Sequence, residues 1–207
     1  MEIFMENQVN KRKELKYTFK IKDYSLFKRI ILKHGYKKNH SNNFINNLYF
    51  DNDFSSYDEN IEGESERIKY RLRWYDGQNI FFEEKIKKAG IGFKKRIPTA
   101  FSKIEDLDYS NIKKLKGYEP VIQNRYLREY FINSKGIRIT LDSMIKYEQP
   151  NSIRIVHPNI NVMEIKSPID TLPDRDLLNS LDLKLTKYSK YVNGCKSLKN
   201  KYGINYR

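Results

Sequence analysis

Much of the chain alternates between charged and apolar residues with a period of two, which is typical of β-strands whose two faces have different surroundings. In the clearest run, from 67 to 74, every odd position is basic and every even position is apolar. Turn signals at Asp76-Gly77 and around Gly90 and Gly92 separate this run from the next two. The pattern predicts strands within residues 12–22, 47–51, 67–74, 81–86, 93–97, 126–130, 137–142 and 163–166.

Helical spacing of apolar residues is confined to three segments. Asp23 is a typical helix N-cap, and apolar residues three and four positions apart follow it until Gly35. A second helix is predicted within 102–117 and a third over 174–199. The third carries one apolar stripe, formed by Tyr188, Tyr191, Val192, Cys195 and Leu198. Antiparallel strands with a few appended helices indicate an α+β fold or a barrel.

Basic residues occupy one face of most of these strands. Lys69, Arg71 and Arg73 place three cations on the same face, each ~7 Å from the next at the usual rise of a strand. A half-buried sheet can turn such a face to water, but it normally mixes charges there because like charges repel. The basic pattern recurs at Lys85, Lys94, Arg96, Arg128, Arg138 and Lys166.

A closed barrel with its charged faces inward accounts for this pattern. The apolar faces would pack against outer helices, and the lumen would hold anions, since arginine and lysine both bind phosphate oxygens well. Glu14, Glu83 and Glu164 lie among the cations. They could bind Mg²⁺ or Mn²⁺, or they could pair with the basic residues. At Glu164 we favour the metal, whereas at Glu14 and Glu83 both interpretations stay open.

Length and composition fit one globular domain. The 207 residues are 39% hydrophobic, and we predict a single domain over 12–200 with loose ends at 1–11 and 201–207. The net charge of +14 indicates a polyanionic partner. A single cysteine, Cys195, excludes an intrachain disulfide. The polar N-terminus and the lack of a long apolar run predict a cytoplasmic protein without a membrane segment.

Other chemistries fit the chain less well. His34, His40 and His157 lack the spacing of zinc ligands, and Cys195 lies on an apolar helical stripe, which favours a core position. A nucleic-acid surface needs aromatic and basic residues on the same face. Because the aromatic residues lie largely on the strand faces opposite the cations, we predict no nucleic-acid partner.

Nine short motifs follow one another along the chain. They are Arg12-x-Glu14-x-Lys16-Tyr17, Asn47-Leu48-Tyr49-Phe50-Asp51, Lys69-Tyr70-Arg71-Leu72-Arg73-Trp74-Tyr75, Glu83-Glu84-Lys85, Lys94-Lys95-Arg96, Tyr126-x-Arg128-x-Tyr130, Arg138-Ile139-Thr140-Leu141-Asp142, Met163-Glu164-Ile165-Lys166 and Ser189-Lys190-Tyr191. Each motif alone is a weak signal. In this order, over nearly the whole chain, they resemble the catalytic domain of the vacuolar transporter chaperone (VTC) family. That family is a branch of the CYTH, or triphosphate tunnel metalloenzyme, superfamily.

The resemblance implies a closed, eight-stranded antiparallel β-tunnel with flanking helices. Eukaryotic members of the family resemble polyphosphate polymerases, which transfer the terminal phosphoryl group of ATP to a growing chain. The residues expected to take part directly are Lys16, Arg71, Arg73 and Glu164, with Mn²⁺ or Mg²⁺ on Glu164 and, in one interpretation, on Glu14 and Glu83. The residues expected to bind the triphosphate or polyphosphate are Lys69, Lys85, Lys94, Arg96, Arg128, Arg138, Lys166 and Lys190.

Two departures from the family pattern bear on the reaction. Triphosphatases of the superfamily open with Glu-x-Glu-x-Lys, but Arg12 stands at the first of these positions. This favours polyphosphate synthesis over triphosphatase or adenylyl cyclase activity. The membrane segments and accessory domain of eukaryotic polymerases are missing from the sequence. A triphosphatase and a polyphosphate-binding module without catalysis remain the alternatives.

Overall fold

A computed structural model describes residues 12–76, 79–88, 91–99, 101, 103, 108–171 and 174–203. Its elements are β1 (Arg12–Lys20), α1 (Tyr24–Lys33), β2 (Lys37–Asp51), α2 (Ser55–Glu62), β3 (Arg67–Tyr75), β4 (Phe81–Lys88), β5 (Ile91–Pro98), β6 (Glu119–Ile132), β7 (Arg138–Glu148), β8 (Ile155–Val156), β9 (Ile160–Pro168), α3 (Arg175–Leu181) and α4 (Lys190–Tyr202). None of the helices in the described part of the chain is long and apolar enough to cross a membrane.

All the strands belong to one antiparallel sheet. Eight of them follow one another in the order β1-β9-β7-β6-β2-β3-β4-β5, and the short β8 pairs with β7. The predicted α+β fold, an eight-stranded antiparallel tunnel with flanking helices, is therefore confirmed, although among the described residues no strand pairing joins β1 to β5 to close the sheet as predicted. In the described residues, the free edge of β1 is covered by a later segment, because the backbone N–H of Thr186 donates to the carbonyl of Lys16 at 2.8 Å.

The sheet curls so that distant strands face each other. β1 and β4 are six places apart in the sheet order, yet the charges of Glu14 and Lys16 act on Lys85. Burial lowers the pKa of Lys85, Glu14 opposes that effect and Lys16 adds to it. Side chains of β1 and β4 therefore approach each other across the concave face. We call this concave face the inner face.

The outer face carries the apolar residues predicted by the alternation. On β1, β7 and β9 these side chains pack against α1 and α3, in a cluster that includes Phe27, Ile31, Ile139 and Leu177. A second outer cluster joins Leu72 and Phe82 to Leu115. Burial of apolar area on this side supplies the main stabilisation of the sheet.

The helix α4 packs against one end of the inner face. Its stripe of Tyr191, Val192, Cys195 and Leu198 is buried, as the sequence predicted, together with Tyr188. The strand residues that it meets are Tyr49, Ile122, Tyr126, Tyr147 and Val162. The inner face is therefore apolar and filled at this end, which we call the helix end.

Several boundaries differ from the sequence prediction. The strand predicted at 47–51 is the end of a 15-residue strand whose first half is polar and exposed, so it shows no alternation. The short polar helix α2 was missed for the same reason. The described part of 102–117 forms two 3₁₀ turns, at Tyr109–Asn111 and Lys113–Leu115, in place of a helix, and 102 and 104–107 lie outside the described residues.

The predicted C-terminal helix is divided in two. Asp182 ends α3 with a φ of 45°, a left-handed conformation that cannot continue a helix. Ser189 then caps α4, and the intervening residues run along β1. The first helix begins after Asp23 as predicted, although the Asp23 side chain makes no capping hydrogen bond. Residues 1–11, 77–78, 89–90 and 204–207, where loose ends or turns were expected, lie outside the described residues, whereas 201–202 belong to α4.

Close packing of α4 at the helix end makes a stability prediction. A methyl group at Gly194 would collide with the side chain of Ile122 and lie 2.7 Å from the Tyr147 ring. We expect Gly194→Ala to lower the free energy of unfolding by roughly 1–3 kcal/mol, the usual cost of overpacking. Urea denaturation measures this loss of stability. Gly92→Ala is the control, because a methyl group at Gly92 meets nothing within 4 Å. Equal stability of the two variants would contradict the packing of α4.

Candidate active site on the inner face of the sheet

The strand register places the predicted basic residues on the inner face. Residues directly opposite each other in an antiparallel pair share a face. Arg71 lies opposite Glu83, which lies opposite Arg96, and Lys16 lies opposite Glu164. The candidate residues that these and the neighbouring registers bring together are Glu14, Lys16, Lys69, Arg71, Arg73, Glu83, Lys85, Lys94, Arg96, Arg128, Arg138, Glu164 and Lys166.

Glu83 is the buried centre of a group of four cations. Its carboxylate accepts hydrogen bonds from Nε and Nη2 of Arg71 at 2.8 and 2.5 Å, and Nζ of Lys94 lies 2.6 Å away. Arg73 and Arg96 each approach it to 3.7 Å. Burial would raise the pKa of Glu83, but the charges of Arg71, Arg73 and Lys94 outweigh it and hold the pKa far below its usual value. These contacts favour the ion-pair interpretation of Glu83, which the sequence left open beside metal binding.

A second buried carboxylate, Asp142, holds two further candidates. Arg128 donates to both of its oxygens, at 2.6 and 2.8 Å. Lys190, in the first turn of α4, binds the same carboxylate. Burial would raise the pKa of Asp142, but Arg128 and Lys190 lower it. Asp142 therefore links β6, β7 and α4 and orients two cations toward the lumen.

The third group joins β1 to β9. Nζ of Lys166 lies 2.8 Å from one oxygen of Glu164 and 3.9 Å from Glu14, and Nζ of Lys16 lies 2.8 Å from Glu14. Glu164 is 7% exposed. Burial would raise its pKa, but Lys166, Lys16 and Arg128 together keep it well below the usual value. Glu164 is therefore ionised and faces the same space as Glu14.

Burial lowers the pKa of two lysines on the inner face. Burial lowers the pKa of Lys69 to about 8, with further lowering from Arg67 and Lys85. Burial also lowers the pKa of Lys94 to about 8, although Glu83 opposes it. An anion bound among these lysines would reverse both shifts, because it favours the charged form.

Polar residues that the sequence did not single out complete the site. Asn47 accepts a hydrogen bond from Nε of Arg73 at 2.7 Å and donates one to Asn124 at 2.8 Å. Tyr49 accepts from Nη1 of Arg71 at 3.0 Å. Tyr49 is buried, which would raise its pKa, but the charges of Arg71 and Arg73 lower it to about 8. Asn47, Tyr49 and Asp142 lie at in-phase positions of the strand motifs, and Asn124 lies two positions before the Tyr126 motif in the same phase, which was the available signal.

The inner face also carries aromatic residues, which corrects one sequence argument. Tyr49 and Tyr126 share it with the cations, and Nζ of Lys190 lies 4.4 Å from the centre of the Tyr126 ring. The expected separation of aromatic and basic faces is therefore incomplete, because these aromatic residues lie in phase with the cations. The absence of a nucleic-acid partner stays a prediction.

The carboxylates of the third group fit a divalent metal. Within the described residues no three His, Cys, Asp or Glu side chains form a cluster of metal ligands. Mg²⁺ and Mn²⁺ bound with a phosphate substrate commonly need only one or two carboxylates, since phosphate oxygens and water complete their coordination. Glu164 and Glu14 provide two carboxylates beside the cations, both within 4 Å of Lys166.

Solved structures with a similar fold include three that span almost the whole of this chain. They are a candidate adenylate cyclase from Vibrio parahaemolyticus (15% identity, 90% of this chain and 99% of that chain, TM-score 0.54), protein PH1819 from Pyrococcus horikoshii OT3 (16%, 93% and 99%, 0.53) and the candidate adenylyl cyclase HpAC1 from Hippeastrum (12%, 88% and 94%, 0.50). HpAC1 is described as having a dominant triphosphatase activity. At these identities the likeness supports the fold alone.

A family comparison goes further than the structural likeness. No curated protein matches the chain. The model of the VTC domain matches residues 11–199, which include every strand and the candidate residues on the inner face. This chain belongs to the VTC-domain family.

Proposed function

We propose that this chain binds the triphosphate of a nucleoside triphosphate on the inner face and transfers the terminal phosphoryl group to a polyphosphate chain. The observation that carries the proposal is the excess of positive charge there. Of the inner-face and α4 residues described above, eleven are basic and four are carboxylates. Such an excess is costly without an anion, because like charges repel in a partly buried space.

The cations are arranged to neutralise charge along a phosphate chain. Phosphoryl transfer needs positioning and electrostatic stabilisation more than covalent chemistry from the protein. Glu83 holds the guanidinium groups of Arg71 and Arg73, so both are ordered before substrate arrives. Asp142 does the same for Arg128 and Lys190. The two groups would bind successive phosphates.

Lys16 and Glu164 are best placed to act at the transferred group. Burial lowers the pKa of Lys16, but Glu164 and Glu14 raise it more strongly, so Lys16 stays charged at neutral pH. Glu164, with Glu14, would hold Mg²⁺ or Mn²⁺, which would neutralise phosphate oxygens when bound. A polyphosphate acceptor ends in an anionic oxygen and needs no strong general base. The transfer therefore needs no general base from the described residues.

Hydrolysis of a triphosphate is the second candidate reaction. Glu14 supports hydrolysis, because its side chain is 34% exposed and could orient an attacking water. Incubation with ATP and Mn²⁺, followed by separation of the products on a gel, distinguishes the two reactions. Long chains with ADP indicate a polymerase, and free phosphate with ADP indicates a hydrolase. Binding without turnover would contradict both and leave a polyphosphate-binding module.

The assignment of Glu164 predicts a loss of turnover without a loss of substrate binding. We expect Glu164→Gln to lower kcat by about 10²-fold or more, the scale found when one transition-state stabilising group is removed. Metal-free binding of tripolyphosphate should be unchanged or tighter, because the variant removes a negative charge from beside Lys16 and Lys166. Steady-state kinetics and calorimetry measure the two effects, and a kcat equal to the wild type would refute the assignment.

The positioning role of Asp142 predicts that its replacement lowers the stability of the protein and that bound phosphate restores part of the loss. We expect Asp142→Asn to lower the free energy of unfolding by about 3–5 kcal/mol, because Arg128 and Lys190 lose their buried counter-ion. Saturating tripolyphosphate should restore more stability to the variant than to the wild type, since phosphate replaces the lost charge. Thermal unfolding with and without tripolyphosphate measures this. An equal gain in both proteins would contradict the shared site.

The lowered lysine pKa values predict proton uptake on binding. With pKa values of about 8, Lys69 and Lys94 are only partly charged at pH 8, and bound phosphate should raise both values. Binding of tripolyphosphate should take up protons at pH 8, take up almost none through these lysines at pH 6, and weaken as the pH rises above 8. Calorimetry in buffers of different ionisation enthalpy measures the uptake.

The matched variant for this experiment is Lys94→Arg. Arginine keeps the charge but does not titrate in this range. The variant should retain affinity and take up fewer protons than the wild type, which separates protons of the protein from those of the ligand. Equal uptake in both proteins would show that Lys94 is already fully charged.

A further inference from the structure

The hydroxyl group of Tyr49 lies among the cations of the inner face, although its ring belongs to the packed helix end. The ring is 7% exposed and packs against that of Tyr191 on α4, with the two centres 5.3 Å apart. The oxygen accepts a hydrogen bond from Nη1 of Arg71 at 3.0 Å. Because Tyr49 lies directly opposite Arg71 in the β2–β3 ladder, the register of the sheet fixes this contact. Tyr49 therefore joins the helix end to the cations around Glu83.

Cations from three elements of the fold act on this oxygen. Burial would raise the pKa of Tyr49, but the positive charges around it lower the pKa to about 8. Those charges belong to Arg71 and Arg73 on β3 and to Lys190 on α4. Burial lowers the pKa of Lys16, on β1, and the charge of Tyr49 is among those that raise it. The Tyr49 oxygen therefore lies where cations of β1, β3 and α4 converge, and a fraction of it is ionised near neutral pH.

Arg71 can bind the tyrosine oxygen and a phosphate at the same time. A guanidinium group has five N–H donors, two of them on each terminal nitrogen. Glu83 accepts from Nε and Nη2 of Arg71, and Tyr49 accepts from Nη1. Among the contacts of the described residues, this leaves one N–H on each terminal nitrogen for a phosphate oxygen. A phosphate bound there shares Nη1 with the Tyr49 oxygen, so the phosphorus atom and a nucleophile are held side by side.

We propose that Tyr49 accepts the first phosphoryl group from a nucleoside triphosphate and anchors the polyphosphate chain that grows from it. This rests on the proposed function and adds a covalent starting point to the same site. The phenol proton is released to water, and the phenolate oxygen then forms a bond to the terminal phosphorus. The bond from that phosphorus to the bridging oxygen breaks, and the nucleoside diphosphate leaves with the electron pair. Later transfers add phosphoryl groups to the phosphate on Tyr49.

The test incubates the protein with Mn²⁺ and ATP labelled at the γ-phosphate, without an added phosphate acceptor. After denaturation, hot dilute acid cleaves phosphoanhydride bonds and leaves phosphotyrosine intact, and mass spectrometry of the peptides locates the retained phosphate. We expect the wild type to retain label on Tyr49 and Tyr49→Phe to retain none. The matched control is Tyr70→Phe, because Tyr70 lies on the neighbouring strand β3 and packs in the outer cluster. It should retain as much label as the wild type.

Added tripolyphosphate separates this role from support of Arg71. Tyr49→Phe keeps the ion pair of Arg71 with Glu83, so the triphosphate site should remain. We expect the variant to lose polyphosphate synthesis from ATP alone and to regain the wild-type rate when tripolyphosphate supplies an acceptor. If Tyr49 only supported Arg71, synthesis would be lowered with and without tripolyphosphate.

Three results would overturn the anchor. They are polyphosphate synthesis by a wild type that carries no phosphate on Tyr49, an unchanged rate of synthesis from ATP alone in Tyr49→Phe, or a defect in that variant that tripolyphosphate does not relieve. In each case the wild type still makes polyphosphate, so the proposed function stands. If the wild type transfers no phosphoryl group from ATP, with or without tripolyphosphate, the anchor and the proposed function both fail.

Discussion

The site depends on pairing between buried carboxylates and crowded cations. Without Glu83, the side chains of Arg71, Arg73 and Lys94 would repel one another in a space with little water. Glu83 is 1% exposed and Asp142 is fully buried, so each acts at short range and with little screening. Each carboxylate cancels only part of the positive charge around it. The cations are thus held in place and still attract an anion.

The two faces of the sheet divide stability from function. The outer face is apolar and packs against α1 and α3, and the inner face carries the ion pairs. α4 belongs to both, because its apolar stripe fills the helix end while Lys190 reaches Asp142. Changes in the packing of α4 should therefore also change the position of Arg128, through their common carboxylate.

The proposed reaction follows from this division of roles. Arginines fixed by carboxylates need little reorganisation when charge develops on a phosphate, and preorganised charges of this kind stabilise transition states well. Glu164 and Glu14 differ from Glu83 because they face fewer cations, and Glu14 keeps about a third of its side chain exposed. The three glutamates are alike in the sequence motifs, but their surroundings suit them to different roles.

Local sequence determined the strands of this protein and the face on which their charges lie. Period-two alternation is a property of neighbouring residues, so β3 and the apolar outer face could be predicted without knowledge of tertiary contacts. The ordered motifs likewise identified the family. The exposed half of β2 and the helix α2 have no such periodicity and were missed. Tertiary structure alone decided that Glu83 is enclosed by four cations, that Asp142 holds Arg128 and Lys190, and that α4 fills one end of the inner face. These contacts join residues far apart in the chain, and their strength depends on distance and burial, which a local pattern does not contain.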